Sequence, residues 1–186
     1  MRLLLALSAL AVYGYRWMDA SKRTKADAML MRATVPMQTG KLPEAQTALA
    51  KVASDFGGTA SGTQATMLLA QVLFDQKKYQ EGIAALEKAK GAAGASFSAS
   101  FESLMAAGYE SMGNFERAAE HYANAAAASK YPLDKGANQA AQARTLTTAG
   151  KHSEARKIWE ALAKDESLPF AQEAQVRLGE LMGAGK

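Results

Sequence analysis

Apolar and small side chains recur along this chain at the 3- and 4-residue steps of one face of an α-helix. The pattern is clearest in Met105–Pro132, where bulky and small residues alternate. The small positions are Ala106, Gly113, Ala118 and Ala125, and the bulky ones are Tyr109, Phe115 and Tyr122. Alternation of this kind lets two helices nest closely. The stretch therefore predicts two short helices that pack around a turn at Gly113-Asn114.

The same pattern occurs four times, and the copies align on the turn between the two helices. The turns are Gly40-Lys41-Leu42, Lys77-Lys78-Tyr79, Gly113-Asn114-Phe115 and Gly150-Lys151-His152, at intervals of 37, 36 and 37 residues. A small residue follows each turn (Ala45, Gly82, Ala118, Ala155), and a large apolar one comes four residues later (Leu49, Leu86, Tyr122, Trp159). Because a fixed period of this length is typical of repeat architectures, we interpret the chain as a stack of helical hairpins.

These positions resemble the tetratricopeptide repeat, an antiparallel helix pair of about 34 residues. The resemblance rests on the turn glycines, the small residues after them and the large residues at 49, 86, 122 and 159. It implies an all-α fold: a tetratricopeptide-like right-handed solenoid of about four helical hairpins plus a C-terminal capping helix, preceded by an N-terminal apolar helix. A generic alanine-rich helical bundle is the alternative.

Stretches that contain glycine, serine and proline set the predicted boundaries of the domains and repeats. We predict an N-terminal segment over 1–18 and a repeat domain over 19–186, with repeats at about 26–56, 62–91, 98–131 and 136–165 and a cap at 169–183. Gly- and Ser-rich stretches predict loops at Phe56–Gly62 and Gly91–Ser100, and Lys130–Asn138 is predicted to lead into repeat four.

Leu3–Tyr15 is an uncharged run of 13 residues. As a helix it is about 20 Å long, shorter than the ~30 Å hydrocarbon core of a bilayer. Three interpretations remain open. It is the end of a membrane anchor whose beginning precedes Met1, a signal peptide cleaved after Ala9-Leu10-Ala11, or a buried helix. In the first, Tyr13, Tyr15, Arg16 and Trp17 lie at the membrane interface.

The formal net charge of +4 is confined to one end of the chain. Residues 1–25 hold five basic side chains and one acidic one, whereas residues 26–186 hold 17 of each. Because a nucleic-acid-binding domain carries a basic stripe on its body, the charge distribution argues against that class. The chain has no Cys, which excludes disulfides and thiolate metal sites.

The residues that could carry chemistry form no catalytic motif. His121 and His152 are 31 residues apart, and neither an HExxH nor a G-x-S-x-G motif occurs. We predict that His121 lies on the surface and that His152, which holds the bulky turn position, is packed. The sequence thus predicts a protein that is not an enzyme and holds no cofactor or metal.

The first helix of each hairpin is expected to line a concave, peptide-binding groove. By register, eight residues are candidates for that face: Leu30, Met37, Met67, Gln71, Phe74, Ser103, Glu110 and Arg144. Flexible Met side chains suit a surface that accepts several partners. Packing of Met67 and Phe74 against adjacent helices is the alternative.

The apolar segment ending in Gly14-Tyr15-Arg16-Trp17, the charged run after it and the degenerate repeats resemble the ancillary SecYEG-translocon subunit family. The resemblance implies a single-pass bacterial inner-membrane protein with a periplasmic repeat domain. It also implies partners among translocon subunits and periplasmic chaperones. The basic residues that follow the apolar run favour the opposite topology, with the repeats on the cytoplasmic face. A soluble secreted or cytosolic scaffold for envelope-complex assembly is a further alternative.

Overall fold

The computed structural model describes the backbone of residues 2–183 and the side chains of residues 13–183. Within these residues the chain forms nine α-helices and no strand. The helices are α1 (Arg2–Gln38), α2 (Leu42–Phe56), α3 (Ala60–Asp75), α4 (Tyr79–Ala93), α5 (Ser98–Ser111), α6 (Phe115–Ala128), α7 (Pro132–Thr148), α8 (His152–Ala163) and α9 (Ala171–Gly183). A short 3₁₀ turn, Ala95–Phe97, precedes α5.

Four helical hairpins follow one another along the chain, as the sequence predicts. The second part of α1 pairs with α2, and the later hairpins are α3–α4, α5–α6 and α7–α8, with α9 packed on α8. Each hairpin turn contains one residue with a positive φ: Gly40 (70°), Lys77 (63°), Gly113 (74°) and Gly150 (75°). The four turns therefore share one backbone conformation, although only three of them have glycine at this position.

Lys77 adopts the left-handed conformation that glycine accepts without strain. We expect Lys77→Gly to raise the free energy of unfolding by about 1 kcal/mol. The left-handed conformation costs a residue with a side chain about 1–2 kcal/mol, and the greater conformational entropy that glycine loses on folding offsets part of this gain. Urea unfolding followed by circular dichroism measures the change. The control, Lys88→Gly, lies in the exposed interior of α4 and is expected to lose about 1 kcal/mol. Equal destabilisation by both substitutions would contradict the assignment of the turn.

The core is divided into three clusters that follow the hairpins. The first joins α1, α2 and α3 around Leu49 and Val52, and the second joins α3 to α6 around Phe101 and Ile83. The third joins α6 to α9 around Trp159. Each cluster lies between neighbouring hairpins, which is the arrangement of a solenoid in which every repeat buries its apolar face against the next.

Three predicted helix boundaries were wrong, each because a residue taken as a loop residue has a role in a helix. The helix α3 begins at Ala60 rather than near 62–64, since Thr59 caps it and accepts a hydrogen bond from the Gly62 N–H at 3.1 Å. The helix α4 continues through Gly91 and ends before Gly94, whose φ is 73°. The helix α7 begins at Pro132, because proline is well suited to the first turn of a helix.

The helix α1 is continuous from Arg2 to Gln38 and enters the first hairpin without a linker. Ala26 is the first buried side chain among those described along it. Most of the predicted apolar run, Leu3–Val12, lies outside the residues whose side chains are described. Among the described residues, no helix has the length and apolar character needed to cross a membrane.

Candidate functional site

An open groove of about 790 Å³ crosses the first helices of three consecutive hairpins. The helices α3, α5 and α7 form most of its wall, and α6 and the residue after it contribute one side chain each. The lining residues are Gln64, Met67, Leu68, Gln71, Ala99, Ser100, Ser103, Leu104, Ala107, Tyr122, Ser129, Asp134, Ala137 and Asn138. We refer to this surface as the groove.

The lining of the groove is almost free of charge. Asp134, in the first turn of α7, is the one ionisable carboxylate among the lining residues, and no lysine or arginine is among them. Met67, Leu68 and Leu104 supply apolar surface, while the remaining polar groups are amides and hydroxyls. Amide and hydroxyl groups both donate and accept hydrogen bonds, so this surface can pair with a peptide backbone.

A partly buried hydrogen-bond network links α5, α6 and α7 beside the groove. The Tyr122 hydroxyl donates to Glu110 Oε2 at 3.1 Å, and the Thr145 hydroxyl donates to Glu110 Oε1 at 3.2 Å. Burial, together with the neighbouring Glu110 carboxylate, raises the pKa of Tyr122 to about 12. The tyrosine is therefore neutral at physiological pH and acts as a positioning donor.

The guanidinium of Arg144, on α7, is held by α9. Its Nε and one terminal nitrogen each lie 2.7 Å from an oxygen of Glu173, in a bidentate pair. The hydrogen bond to Glu173 raises the pKa of Arg144, and the same bond lowers the pKa of Glu173. Arg177 lies 3.7 Å from the same carboxylate. The charge of Arg144 is thus engaged by the capping helix.

A second ionic cluster links α4, α5 and α6. The carboxylate of Glu102, which is only 3% exposed, accepts hydrogen bonds from Lys90 and pairs with His121 Nδ1 at 2.7 Å. His121 stacks on Tyr109 with ring centroids 5.1 Å apart, and Arg117 covers the same ring at 5.4 Å. The charged and aromatic side chains of this cluster are partners of one another within the helix interface, which indicates a structural role.

Comparison with known proteins places this architecture in a family. Residues 16–143, more than half of the chain, match the family model described as "Tetratricopeptide repeat-like domain". The chain belongs to this tetratricopeptide repeat-like family. A search of curated protein sequences finds no match.

Solved structures with similar folds are also tetratricopeptide repeat proteins. One consists of nearly identical TPR-like repeats of a protein assigned as a kinesin light chain from Podosopora anserina, with 18% identity, a TM-score of 0.66 and 88% coverage of both chains. Another is a tetratricopeptide repeat protein from Parabacteroides merdae, with 14% identity and a TM-score of 0.67, covering 87% of this chain and 61% of that one. At these identities the likeness concerns the fold alone.

The tetratricopeptide arrangement brings three of the eight predicted groove residues together: Met67, Gln71 and Ser103 line the groove. The structure places the other five elsewhere. Leu30 and Met37 pack against the core cluster of α1, α2 and α3. Phe74 is half-buried in the next cluster, between α3 and its neighbours. Glu110 and Arg144 are engaged in the two networks described above.

The packing of Phe74 follows from two glycines. A Cβ atom at Gly82 would lie 2.5 Å from the Phe74 ring, and one at Gly108 would lie 2.7 Å from it. The ring therefore occupies the space that these glycines leave on α4 and α5. Packing between adjacent helices, rather than exposure in the groove, is the environment that the structure gives this side chain.

The prediction from sequence also missed part of the lining. Leu68 lies three residues before the predicted Gln71 on the same helix face, so the helical register could have found it, and Leu104 directly follows the predicted Ser103. Asp134 was missed because α7 was predicted to begin near 136. The repeat pattern assigns Tyr122 only to the core, although it also lines the groove.

Both histidine predictions for this tetratricopeptide-like chain were wrong. His121 is partly buried against Tyr109 and Glu102 rather than on the surface. His152 is exposed, since α8 begins at that residue and the turn leaves its side chain in solvent. Within the described residues, no three His, Asp or Glu side chains are grouped as a metal site would require.

The ionic cluster at Glu102 predicts a pH dependence of stability. Burial raises the pKa of Glu102, but the hydrogen bonds from Lys90 and His121 outweigh this, so the pKa lies below its ordinary 4.5. A carboxylate whose pKa is lower in the folded state stabilises the fold above the unfolded-state pKa and loses this contribution as the pH falls. We therefore expect the free energy of unfolding to decrease as the pH falls from about 5 through the lowered pKa.

Urea unfolding at a series of pH values measures this contribution, with Glu102→Gln as the matched variant. Glu173 also has a lowered pKa and contributes to the acid loss in both proteins. The difference between the two curves isolates Glu102 and is expected to shrink toward acidic pH. A constant difference across the series would show that ionisation of Glu102 does not contribute.

Proposed function

We propose that this protein is a non-enzymatic interaction module whose groove binds an extended segment of a partner protein. The observation that carries the proposal is the continuous groove across α3, α5 and α7. The lining residues come from all three of these helices, so a ligand that contacts them all has to extend across α3, α5 and α7. An extended chain advances about 3.3 Å per residue, so such a ligand places several residues in the groove.

The groove is suited to a chain rather than to a small molecule. It is open, and its lining combines apolar side chains with hydrogen-bonding ones from three helices. Repeat arrays use such extended surfaces to bind peptides along their length. The partly buried networks at Glu110 and Glu102 link α5, which forms part of the wall, to α4, α6 and α7.

A substitution that blocks the groove with a large side chain tests this function. The probe is an acetylated and amidated peptide of about ten residues, long enough to cover the groove when extended, composed of Leu, Ser and Gln and carrying a fluorophore. We expect Ser103→Trp to weaken its binding to the full chain about tenfold or more, because the indole fills the space that the peptide occupies. Fluorescence anisotropy measures the affinity.

The matched control is Ser96→Trp, at an exposed position outside the groove. It adds the same side chain without blocking the surface and is expected to leave the affinity unchanged. Equal effects of the two substitutions, or no binding of the peptide to the unsubstituted chain, would refute the proposal.

We further propose that the N-terminal part of α1 anchors the module to a membrane. Tyr13, Tyr15 and Trp17 are 72%, 74% and 66% exposed. With 3.6 residues per turn, Tyr15 points to the side opposite Tyr13 and Trp17. Aromatic side chains on both sides of a helix, next to Arg16, fit the headgroup region around an inserted helix.

The resemblance to the ancillary SecYEG-translocon subunit family supports a finer proposal. In it, the protein lies in a bacterial inner membrane with the repeats in the periplasm and associates with translocon subunits and periplasmic chaperones. The alternative is a soluble secreted or cytosolic scaffold in envelope-complex assembly. It keeps the same groove and differs in where the protein lies and in which partners it meets.

Protease accessibility of a C-terminally tagged chain separates these possibilities. If the proposal is right, the protein sediments with membranes, and protease added to intact spheroplasts digests it. Protection until lysis would place the repeats in the cytoplasm and refute the periplasmic proposal. A chain that remains in the soluble fraction would refute the anchor and favour the alternative.

A further inference from the structure

We infer that the groove selects an uncharged extended segment, rich in apolar and small polar residues, and rejects acidic ones. The inference rests on the proposed function of the groove and names the chemical class of its ligand. It follows from the chemistry of the lining, in which polar groups are abundant but cations are missing.

The basic side chains of α7 and of the residues just before it do not provide a site for a ligand carboxylate. Arg144 is held in a bidentate pair with Glu173, and its release would leave that carboxylate without its main partner. Lys130 and Lys135 flank Asp134 in the sequence but do not line the groove. A ligand carboxylate that loses part of its hydration in the groove gains no cation in return, so it binds less favourably than a neutral group does.

The uncharged polar groups of the groove match the requirements of a peptide backbone. Amides at Gln64 and Gln71 and hydroxyls at Ser100 and Ser103 face the same space. Each can donate and accept a hydrogen bond, so together they can pair with the alternating N–H and C=O groups of an extended chain. Such contacts read the backbone and not the sequence.

Apolar contacts supply the affinity that neutral hydrogen bonds do not. Met67 and Leu68 on α3 and Leu104 on α5 line the groove, and each also packs against a core cluster. Methionine adapts its shape to different apolar side chains. The ligand therefore places apolar side chains between α3 and α5 and small polar ones beside the serines, and many neutral sequences satisfy this arrangement.

The single carboxylate of the lining, Asp134, makes the two ends of the groove differ in charge. Asp134 lies in the first turn of α7, at the end of the groove away from α3, and forms no salt bridge within the described residues. It repels a ligand carboxylate and tolerates a basic residue at that end. The expected order of affinity is neutral first, basic second and acidic last.

Three peptides test the order on the full chain. They are the neutral Leu/Ser/Gln peptide and two versions in which Glu or Lys replaces its serines. We expect the Glu peptide to bind about tenfold more weakly or worse than the neutral one, with the Lys peptide between them. Binding of the neutral peptide is expected to change little with ionic strength, since salt screens only charged contacts.

A variant that gains affinity for the acidic peptide gives the sharpest test. Gln71→Arg adds a cation at an exposed lining position and is expected to strengthen binding of the Glu peptide about fivefold or more, since charge-assisted hydrogen bonds are the strong ones. The control, Gln80→Arg, adds the same charge on α4 outside the groove and is expected to have no such effect.

Several outcomes would overturn the inference. They are a Glu peptide that binds as tightly as the neutral one, neutral binding that falls steeply with salt, or equal effects of the two arginine substitutions. If these occur while Ser103→Trp still blocks binding, the proposed function stands and only the ligand class is wrong. If no peptide binds, both are wrong.

Discussion

Replacing Trp159 by alanine is expected to lower the free energy of unfolding by about 3–5 kcal/mol. Its indole is fully buried between α6, α7, α8 and α9, where it contacts a cluster that includes Ala143, Leu146 and Ala174. The two alanines leave room for the large ring and are too small to fill the cavity that its removal creates. Since a whole domain is stable by only about 5–15 kcal/mol, the loss is a large fraction of the total.

Because a solenoid is stabilised by contacts between neighbours, the effect of Trp159→Ala should be strongest in the last hairpin. Hydrogen exchange is expected to show faster exchange in α7, α8 and α9 than in α2 and α3.

The control is Trp159→Phe, which keeps an aromatic ring. The indole Nε1 has no hydrogen-bond partner within the described part of the chain, so phenylalanine loses no hydrogen bond. A phenylalanine variant as unstable as the alanine one would contradict this account of the site.

Gly62→Ala is expected to destabilise the fold by about 3 kcal/mol, near the upper end of the usual cost of overpacking. A Cβ atom at this position would lie 1.9 Å from the Phe56 carbonyl oxygen and 2.3 Å from its carbon. Both are backbone atoms and cannot move aside as a side chain does. The α2–α3 connection must open to accept the methyl group, which separates the end of the first hairpin from the start of the second.

The control for this substitution is Gly91→Ala. Gly91 lies in α4 and is exposed, and no atom lies within 4 Å of the position that its Cβ atom would occupy. Alanine is favoured over glycine in a helix by about 1 kcal/mol, so this variant is expected to be more stable than the unsubstituted chain. Thermal unfolding of both variants measures the contrast. Destabilisation by both would mean that α4 ends before Gly91.

Periodicity predicted most of the fold because the repeats encode it locally. The turn residues at 40, 77, 113 and 150 share a positive φ, and the small and large residues after them are buried as expected at Ala45, Leu49, Ala155 and Trp159. What periodicity could not predict was the context of single residues. The residue type of Gly62 predicts a loop, whereas the close approach of the Phe56 backbone requires glycine at this position within a helix.

The groove was predicted less well, because a residue's place on a helix face does not determine its partners. The register placed Arg144 on the groove side, but its pairing with Glu173 depends on α9, 29 residues further along the chain. The sequence predicts His121 on the surface, but its imidazole pairs with Glu102 on the preceding helix and therefore lies in the helix interface. Contacts between hairpins decide both cases, and a single repeat does not contain them.

The most direct test of the groove as the binding surface is site-specific photo-cross-linking of the full chain in the cells that make it. A photoreactive residue replaces Gln71 in the groove or, as the control, Gln80 on α4. We expect Gln71 to yield a discrete cross-linked partner that Gln80 does not yield, and Ser103→Trp to abolish the product. Cross-links of equal yield from both positions, or from Gln80 alone, would contradict a binding function of the groove.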